Sequence, residues 1–256
     1  MGDIPLPVRG TPGAPAGDAV RSDALPVSES FVSIQGEGKL TGVPSWFLRL
    51  AGCNLRCTWC DTPYASWNPE SVSRTIADVV EDAHKSGVRH AVLTGGEPMI
   101  FKQLVALTHA LHARGMHITI ETAGTVTLPG VKCHLMSLSP KLANSTPTGD
   151  PRDPSGKWAQ RHDARRLNFD SLNELIASSP DRQLKFVVTG PGDLPEIDAV
   201  LGRVRGWRPE DVVLMPEGVT VPDPASVSWV VDACRARGWR YGDRLHIRLF
   251  GDTMGT

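Results

Sequence analysis

Long apolar runs are missing from this chain. No stretch comes near the roughly 18 consecutive apolar residues that a membrane span needs. The N-terminus also lacks the charged start and apolar core of a secretory signal. A soluble, cytoplasmic protein is therefore expected, in a compartment that keeps thiols reduced. Charge of one sign is missing too: 27 Lys and Arg against 28 Asp and Glu leave a formal charge of −1. That balance offers no overall basic character for binding nucleic acid by counterion release, so neither tRNA nor DNA is expected as a direct partner. There is no internal repeat and no coiled-coil heptad. Cysteine is scarce, five in 256 residues. An odd count in a reducing compartment argues against a disulfide framework.

Three of those five cysteines crowd into Cys53-Asn54-Leu55-Arg56-Cys57-Thr58-Trp59-Cys60. This C-x3-C-x2-C run follows an apolar stretch, Trp46 to Gly52, that reads as a strand. A structural zinc site closes four ligands. Here Cys133 and Cys234 lie far downstream, in apolar or helical contexts that suit small buried hydrophobes, and no histidine is near the trio. Three thiolates on a short loop instead suit an iron–sulfur cluster with one iron left without a protein ligand. Chemistry is expected at that iron.

Residues 1–27, with five prolines among Gly and Ala, carry too little apolar content to offset the entropy of ordering and are expected to form a disordered tail. Residues 28–256 read as a single α/β domain. A second irregular stretch, from Ala143 to about Arg161, is rich in Pro, Gly, Asp and Ser, exceeds an ordinary connection and reads as a candidate lid. Between the two, short apolar runs alternate with helical spacings. Val72, Ile76, Val79, Val80 and Ala83 suggest one helix, and Phe101 to Leu111, Leu167 to Ala177, Ile197 to Val204 and Ser226 to Ala236 suggest others. Strands are expected at Ala91–Leu93, His117–Glu121, His134–Leu138, Leu184–Val188 and Val212–Met215. This β-then-α order implies a mostly parallel sheet curled into a partial or modified (β/α) barrel, with its site at the strands' C-terminal ends.

The cysteine loop after one predicted strand, joined to Gly95-Gly96-Glu97-Pro98 after the next, resembles the radical S-adenosylmethionine (SAM) superfamily. Alone, the glycine pair is an ordinary strand-to-helix turn that allows close backbone approach. Further segments resemble one family within it, the 7-carboxy-7-deazaguanine synthases. They are Ser33 to Gly38, Phe47 to Cys53, Trp59 to Thr62, Glu121 to Thr125, Ser139-Pro140-Lys141 and Arg244-Leu245-His246. The resemblance runs from about residue 28 to 250.

Several of these residues can be read unaided. Arg49 breaks an apolar strand, and an inward guanidinium needs an anion, either an internal carboxylate or one on a substrate. Gln35 and Glu37 flank Gly36, and an amide with a carboxylate can read the edge of a pterin ring or simply face solvent. Asp61 and Thr62 offer hard oxygen donors that suit magnesium, or form a local turn. His246 falls in an alternating C-terminal segment read as a strand, as a core histidine or a ligand contact.

The resemblance implies more. Cys53, Cys57 and Cys60 would hold the 4Fe–4S cluster and Thr62 a magnesium ion. SAM would meet Trp59, Asp61, Gly96, Glu97, Ser139, Pro140, Lys141, Met215, Pro216, Glu217 and Gly218, with Met215 standing where relatives often carry glutamine and Asp61 placed to touch the substrate as well. The pterin would meet Ile34, Gln35, Gly36, Glu37, Arg49, Thr94, Glu121 and His246, although Glu121 could equally serve SAM. The implied reaction is radical ring contraction of 6-carboxy-5,6,7,8-tetrahydropterin to 7-carboxy-7-deazaguanine with loss of ammonia. The cofactor supplies the chemistry and no side chain is assigned a catalytic role. Flavodoxin or ferredoxin is the expected electron donor, and a homodimer the expected state. Two rival readings are a glycyl-radical activating enzyme, which leaves Gln35, Glu37 and Arg49 unexplained, and a non-catalytic iron–sulfur electron-transfer protein, to which a three-cysteine cluster is poorly suited.

Overall fold

The computed structural model describes residues 23–256. In chain order its elements are β1 (Ala24–Ile34), β2 (Pro44–Leu50), α1 (Pro63–Ser66), β3 (Val72–Thr75), α2 (Ile76–Lys85), β4 (His90–Gly95), α3 (Leu104–Ala113), β5 (His117–Thr122) and β6 (Leu135–Leu138). There follow α4 (Lys157–Arg165), α5 (Phe169–Ser178), β7 (Asp181–Val188), α6 (Leu194–Arg203), β8 (Val212–Pro216), α7 (Pro224–Arg237), β9 (Arg240–Tyr241) and α8 (Leu245–Phe250). The strands make one sheet in the order β3-β1-β2-β4-β5-β6-β7-β8-β9. From β2 onward neighbours pair in parallel, whereas β1 runs antiparallel to both β2 and β3. The sheet does not close, so the expected partial barrel is what forms.

Strand alternation separates core from site. Trp46, Leu48 and Leu50 of β2, Ala91 and Leu93 of β4, Ile118 and Ile120 of β5, and Leu184, Phe186 and Val188 of β7 all join the buried cluster that the helices cover. Their neighbours Phe47, Arg49, Thr94, Glu121 and Lys185 face an interior cavity. On α3 the apolar face of Leu104, Leu107 and Leu111 is wholly buried. Among the described residues no helix is long and apolar enough to cross a membrane.

Four expectations change. The tail boundary at 27 is too late: Ala24 to Val27 pair with β3, and Leu25 and Val27 are core residues. Pro26 is tolerated there because β1–β2 pairing begins only at Val27, beside a bulge. Residues 1–22 lie outside the described residues. Val72 belongs to β3 rather than to a helix, since Thr75 caps α2 by accepting from the Asp78 amide. The candidate lid contains the first turn of α4 and is packed down, with Asp150 and Asp153 buried. His246 lies on α8, not on a strand.

Candidate active site

The cysteine loop leaves the C-terminal end of β2 and lines one end of a cavity of about 260 Å³. Its three thiols are unpaired. Burial pushes the Cys53 and Cys57 thiols up to about 12, so in the metal-free chain they stay protonated and thiolates form only against the positive charge of bound iron. Among the described residues no three His, Cys, Asp or Glu side chains gather tightly enough for a single metal ion. Three thiols lining one cavity suit a cluster that keeps an open iron better than a zinc site that must close four ligands.

Residues of the former lid hold this loop. Thr58 N donates to Ser145 O at 2.9 Å, and Trp59 Nε1 to Asn144 O at 3.1 Å. Arg56 N donates to His162 Nδ1 at 3.1 Å. His162 is fully buried and, with Nδ1 accepting, its Nε2–H faces Ser145 Oγ at 2.9 Å. Burial, with Arg166 and Lys141 adding to it, drives its pKa down to about 4, which keeps this neutral arrangement at working pH. From the other side Trp67 Nε1 donates to Cys57 O at 3.0 Å and Asn54 Nδ2 to Thr125 Oγ1 at 2.9 Å.

The glycine pair has a packing role here. A Cβ on Gly95, whose φ is +141°, would stand 2.2 Å from Leu50 O, and one on Gly96 2.2 Å from Gly52 O and 2.8 Å from Ala65 O. Only glycines let β4 end against the start of the cysteine loop. Gly96→Ala is expected to destabilise the metal-free chain by about 3 kcal/mol, near 10 °C in Tm, as read by thermal denaturation. Glu97 is fully buried and does not line the cavity. Its carboxylate accepts from Thr122 Oγ1 and Ala123 N, each at 2.8 Å, and from Met99 N at 3.1 Å. Burial raises its pKa and these three donors oppose the rise. Glu97 thus fastens β4 to β5 and orients Gly96.

Much of the remaining lining is charged. Arg49 Nε donates to Glu29 at 2.6 Å, and Tyr64 OH donates to the same carboxylate at 2.8 Å. Arg49 therefore has an internal partner through one nitrogen, while its side chain still lines the cavity. Lys185 bridges Glu37, by a very short contact, and Glu121 at 3.5 Å. Arg244 adds an ion pair to Glu37 at 3.5 Å and reaches Asp61 at 3.9 Å. Burial alone would push the Glu37 carboxyl up, but Lys185 and Arg244 outweigh it and hold the group down to about 2. Thr94 Oγ1 lies 3.3 Å from Glu121. Gln35 Nε2 is engaged by Ser45 Oγ at 2.8 Å. Gly36 has no room for a side chain, because a Cβ would stand 1.9 Å from His246 Nδ1. Nearer the cysteines, Thr62 Oγ1 is 3.8 Å from Cys60 Sγ, and Lys141 donates to Ser139 Oγ at 2.8 Å while sitting 5.5 Å from the Trp59 ring.

The cavity thus gathers Cys53, Cys57, Cys60, Trp59, Asp61, Thr62, Gly96, Ser139, Lys141 and Met215 with Ile34, Gln35, Gly36, Glu37, Arg49, Thr94, Glu121 and His246. Outside it stay Glu97, Pro140, and Pro216, Glu217 and Gly218, the last three around a separate depression beside Arg244. Sequence reading gave no site role to Lys185, Tyr64, residues 251–256 or Arg244, the last quoted only within a matching segment, yet all line the cavity. Lys185 had a signal: a lone lysine between Leu184 and Phe186 interrupts an apolar strand just as Arg49 does.

Comparison with known proteins agrees with this geometry. Residues 48–139 match the radical SAM superfamily. A 7-carboxy-7-deazaguanine synthase from Rhodopirellula baltica is 49% identical over 242 residues, covering 94% of this chain and 92% of its own. One from Halobacterium salinarum is 44% identical over 260 residues, covering 98% and 100%. The crystal structure of QueE from Escherichia coli superposes with a TM-score of 0.64 at 25% identity, over 87% of this chain and 95% of that one. With the cysteine trio and the charged wall facing one cavity, this chain belongs to the 7-carboxy-7-deazaguanine synthase family of radical SAM enzymes.

Proposed function

We propose that the protein converts 6-carboxy-5,6,7,8-tetrahydropterin to 7-carboxy-7-deazaguanine with loss of ammonia. The observation that carries this reading is one cavity lined both by three cysteine thiols and by an arginine and a lysine-clamped glutamate. When bound, the 4Fe–4S cluster held by Cys53, Cys57 and Cys60 and the SAM beside it supply the 5′-deoxyadenosyl radical that starts the ring contraction. The remaining work belongs to the chain. Arg49, tethered by Glu29 through Nε, keeps its terminal nitrogens for the substrate carboxylate. Glu37, ionised by Lys185 and Arg244, accepts from the N–H groups of the pyrimidinone edge. Ser139 and Lys141 serve SAM, and Thr62 with Asp61 offers oxygen donors to a magnesium ion that would neutralise charge near the substrate carboxylate. Residues 251–256 lie along the cavity and help exclude water from the reacting centre. A cytoplasmic homodimer reduced by flavodoxin or ferredoxin completes the proposal.

The test is anaerobic: reconstitute iron and sulfide, reduce chemically, add SAM, magnesium and 6-carboxytetrahydropterin, and follow products by mass spectrometry. Formation of 7-carboxy-7-deazaguanine supports the assignment. SAM cleavage without that product overturns the substrate, and a well-loaded cluster that leaves SAM intact overturns the radical reading. Arg49→Lys should lower kcat/KM for the pterin about 10- to 100-fold, mainly through KM, because a point charge replaces a planar fork. An analogue without the carboxylate should barely notice the change.

A further inference from the structure

Beneath the cavity the barrel interior stays polar, which packing alone does not call for. Such interiors are ordinarily filled by bulky branched side chains. Here the inward-facing residues one step below the cavity lining are Ser45 of β2, His90 of β4, Thr119 of β5 and Gln183 of β7, with His117 of β5 one step further down. Strand pairing aligns them. Val92, which lines the cavity, lies beside Thr119, and His90 lies beside His117 at the N-terminal ends of the strands. Ser45 lies beside His90 in turn.

The chain itself satisfies Ser45 and Gln183. Ser45 Oγ accepts from Gln35 Nε2 at 2.8 Å, and Gln183 donates to Ser137 Oγ at 2.8 Å while accepting from Lys39 N at 2.7 Å. The other three are left open. Thr119 Oγ1, His117 Nδ1 and His90 Nδ1 are buried without a hydrogen-bond partner from the chain. Thr119 is 2% exposed, and ordered water is the usual partner of a polar group so enclosed. Nε2 of each histidine is neither bonded nor buried, so both rings reach from this interior to solvent. Their ring centres are 4.6 Å apart, and His134 extends the row 4.8 Å from His117.

We propose that Thr119, His117 and His90 hold a file of water that carries protons between the cavity floor and solvent at the N-terminal ends of the strands, and that this file supplies the proton taken up by the departing ammonia. The inference rests on the ring-contraction reading above. With SAM and pterin in the cavity and residues 251–256 lying along it, the reacting centre is screened from solvent on its open side. The leaving nitrogen takes up one proton and no electron. A neutral imidazole relays it: an N–H bond forms at Nε2 from solvent as the one at Nδ1 breaks toward the file, and rotation of the ring restores the first tautomer. Burial lowers the pKa of both histidines; at His117 the neighbouring His90 and His134 add to the effect and Asp181 opposes it. The rings therefore stand neutral and pass protons without storing them. From Thr119 to Glu121, which lines the cavity, the rise along β5 is about 7 Å, a gap that one water bridges.

The test combines kinetics with a crystal structure of the reconstituted enzyme. Thr119→Val exchanges a hydroxyl for a methyl of nearly the same volume and should leave the melting temperature of the metal-free chain unchanged or higher. Its kcat should fall about tenfold or more at unchanged KM for the pterin, with a larger solvent deuterium isotope effect. His117→Ala should lose kcat similarly and regain it when imidazole is added to the buffer, an addition that leaves the wild type unaffected. A purely structural role would give no such rescue. Wild-type crystals should show ordered water at Thr119 Oγ1 and at both Nδ1 atoms. The proposal is overturned if Thr119→Val keeps kcat within twofold of wild type, if imidazole does not restore His117→Ala, or if no ordered water meets these atoms. The proton would then come from within the cavity, where His246 lies. Wild-type enzyme that forms no 7-carboxy-7-deazaguanine strikes the function reading instead, so the two failures separate.

Discussion

Cys57→Ala should abolish product formation, with a fall of about a thousandfold or more, while leaving the fold intact. Cys57 lines the cavity and is 9% exposed. Its substitution removes one of only three ligands, and two thiolates do not retain a cluster that already lacks a fourth protein ligand. The local framework survives because the bonds that shape the loop there go to its main chain: Trp67 Nε1 and Cys60 N both donate to Cys57 O. Loss of a buried thiol costs the metal-free protein about 1 kcal/mol. Iron and sulfide content, visible absorbance and product should therefore collapse together, with the melting temperature of the metal-free chain nearly unchanged. Cys234→Ala provides the contrast. That thiol is 5% exposed in the core, so its removal should cost similar stability and leave iron content and turnover alone. Full cluster loading in Cys57→Ala would sink the ligand assignment.

What could be read in advance was whatever a short segment declares by itself. Three cysteines within eight residues, an arginine amid apolar neighbours and alternating β and α periods are local facts, and the sheet and one end of the cavity followed from them. Partners distant in the chain were not legible. Lys185 meets Glu37 across 148 residues and His162 meets Arg56 across 106, and nothing in either local pattern names the other. The stretch after Ala143 misled for a related reason. Its Pro, Gly and Asp content marks irregular backbone, but irregular backbone with enough side-chain bonds can be a bracket rather than a lid, as Asp150, Asp153 and His162 make it. Glu97 shows the same limit, since the three donors that engage its carboxylate, two of them on β5 and the residue after it, could not be named from its own segment. His246 reaches the cavity from the first turn of a helix that begins by donating Leu245 N to Gly36 O at 2.9 Å, a long-range contact that no alternation pattern encodes.

Lys185→Met should be the most damaging change away from the cysteines. Lys185 is 6% exposed and lies between Glu37 and Glu121. Burial opposes its charge, yet the two carboxylates outweigh burial and raise its pKa, so it is a permanent cation in the folded state. The same contacts hold Glu37 down to about 2, well below its unfolded value, so this pair contributes stability above the ordinary glutamate range that is lost only as pH falls toward 2. Methionine preserves volume and removes the charge, leaving Glu37 with Arg244 alone and Glu121 with no cation. Breaking a buried pair in this way costs about 3–5 kcal/mol. The freed burial effect then pushes the Glu37 carboxyl upward, and a protonated Glu37 donates where the pterin edge needs an acceptor. We expect kcat/KM for the pterin to drop at least about a hundredfold, with residual activity climbing as pH rises through the neutral range, where the wild-type profile is flat in this group. Cluster content and slow SAM cleavage without substrate should persist, because the cysteine loop does not touch Lys185. If Lys185→Met kept wild-type KM and pH dependence, Glu37 would not be the acceptor for the pterin, and the lysine clamp would be a feature of folding alone.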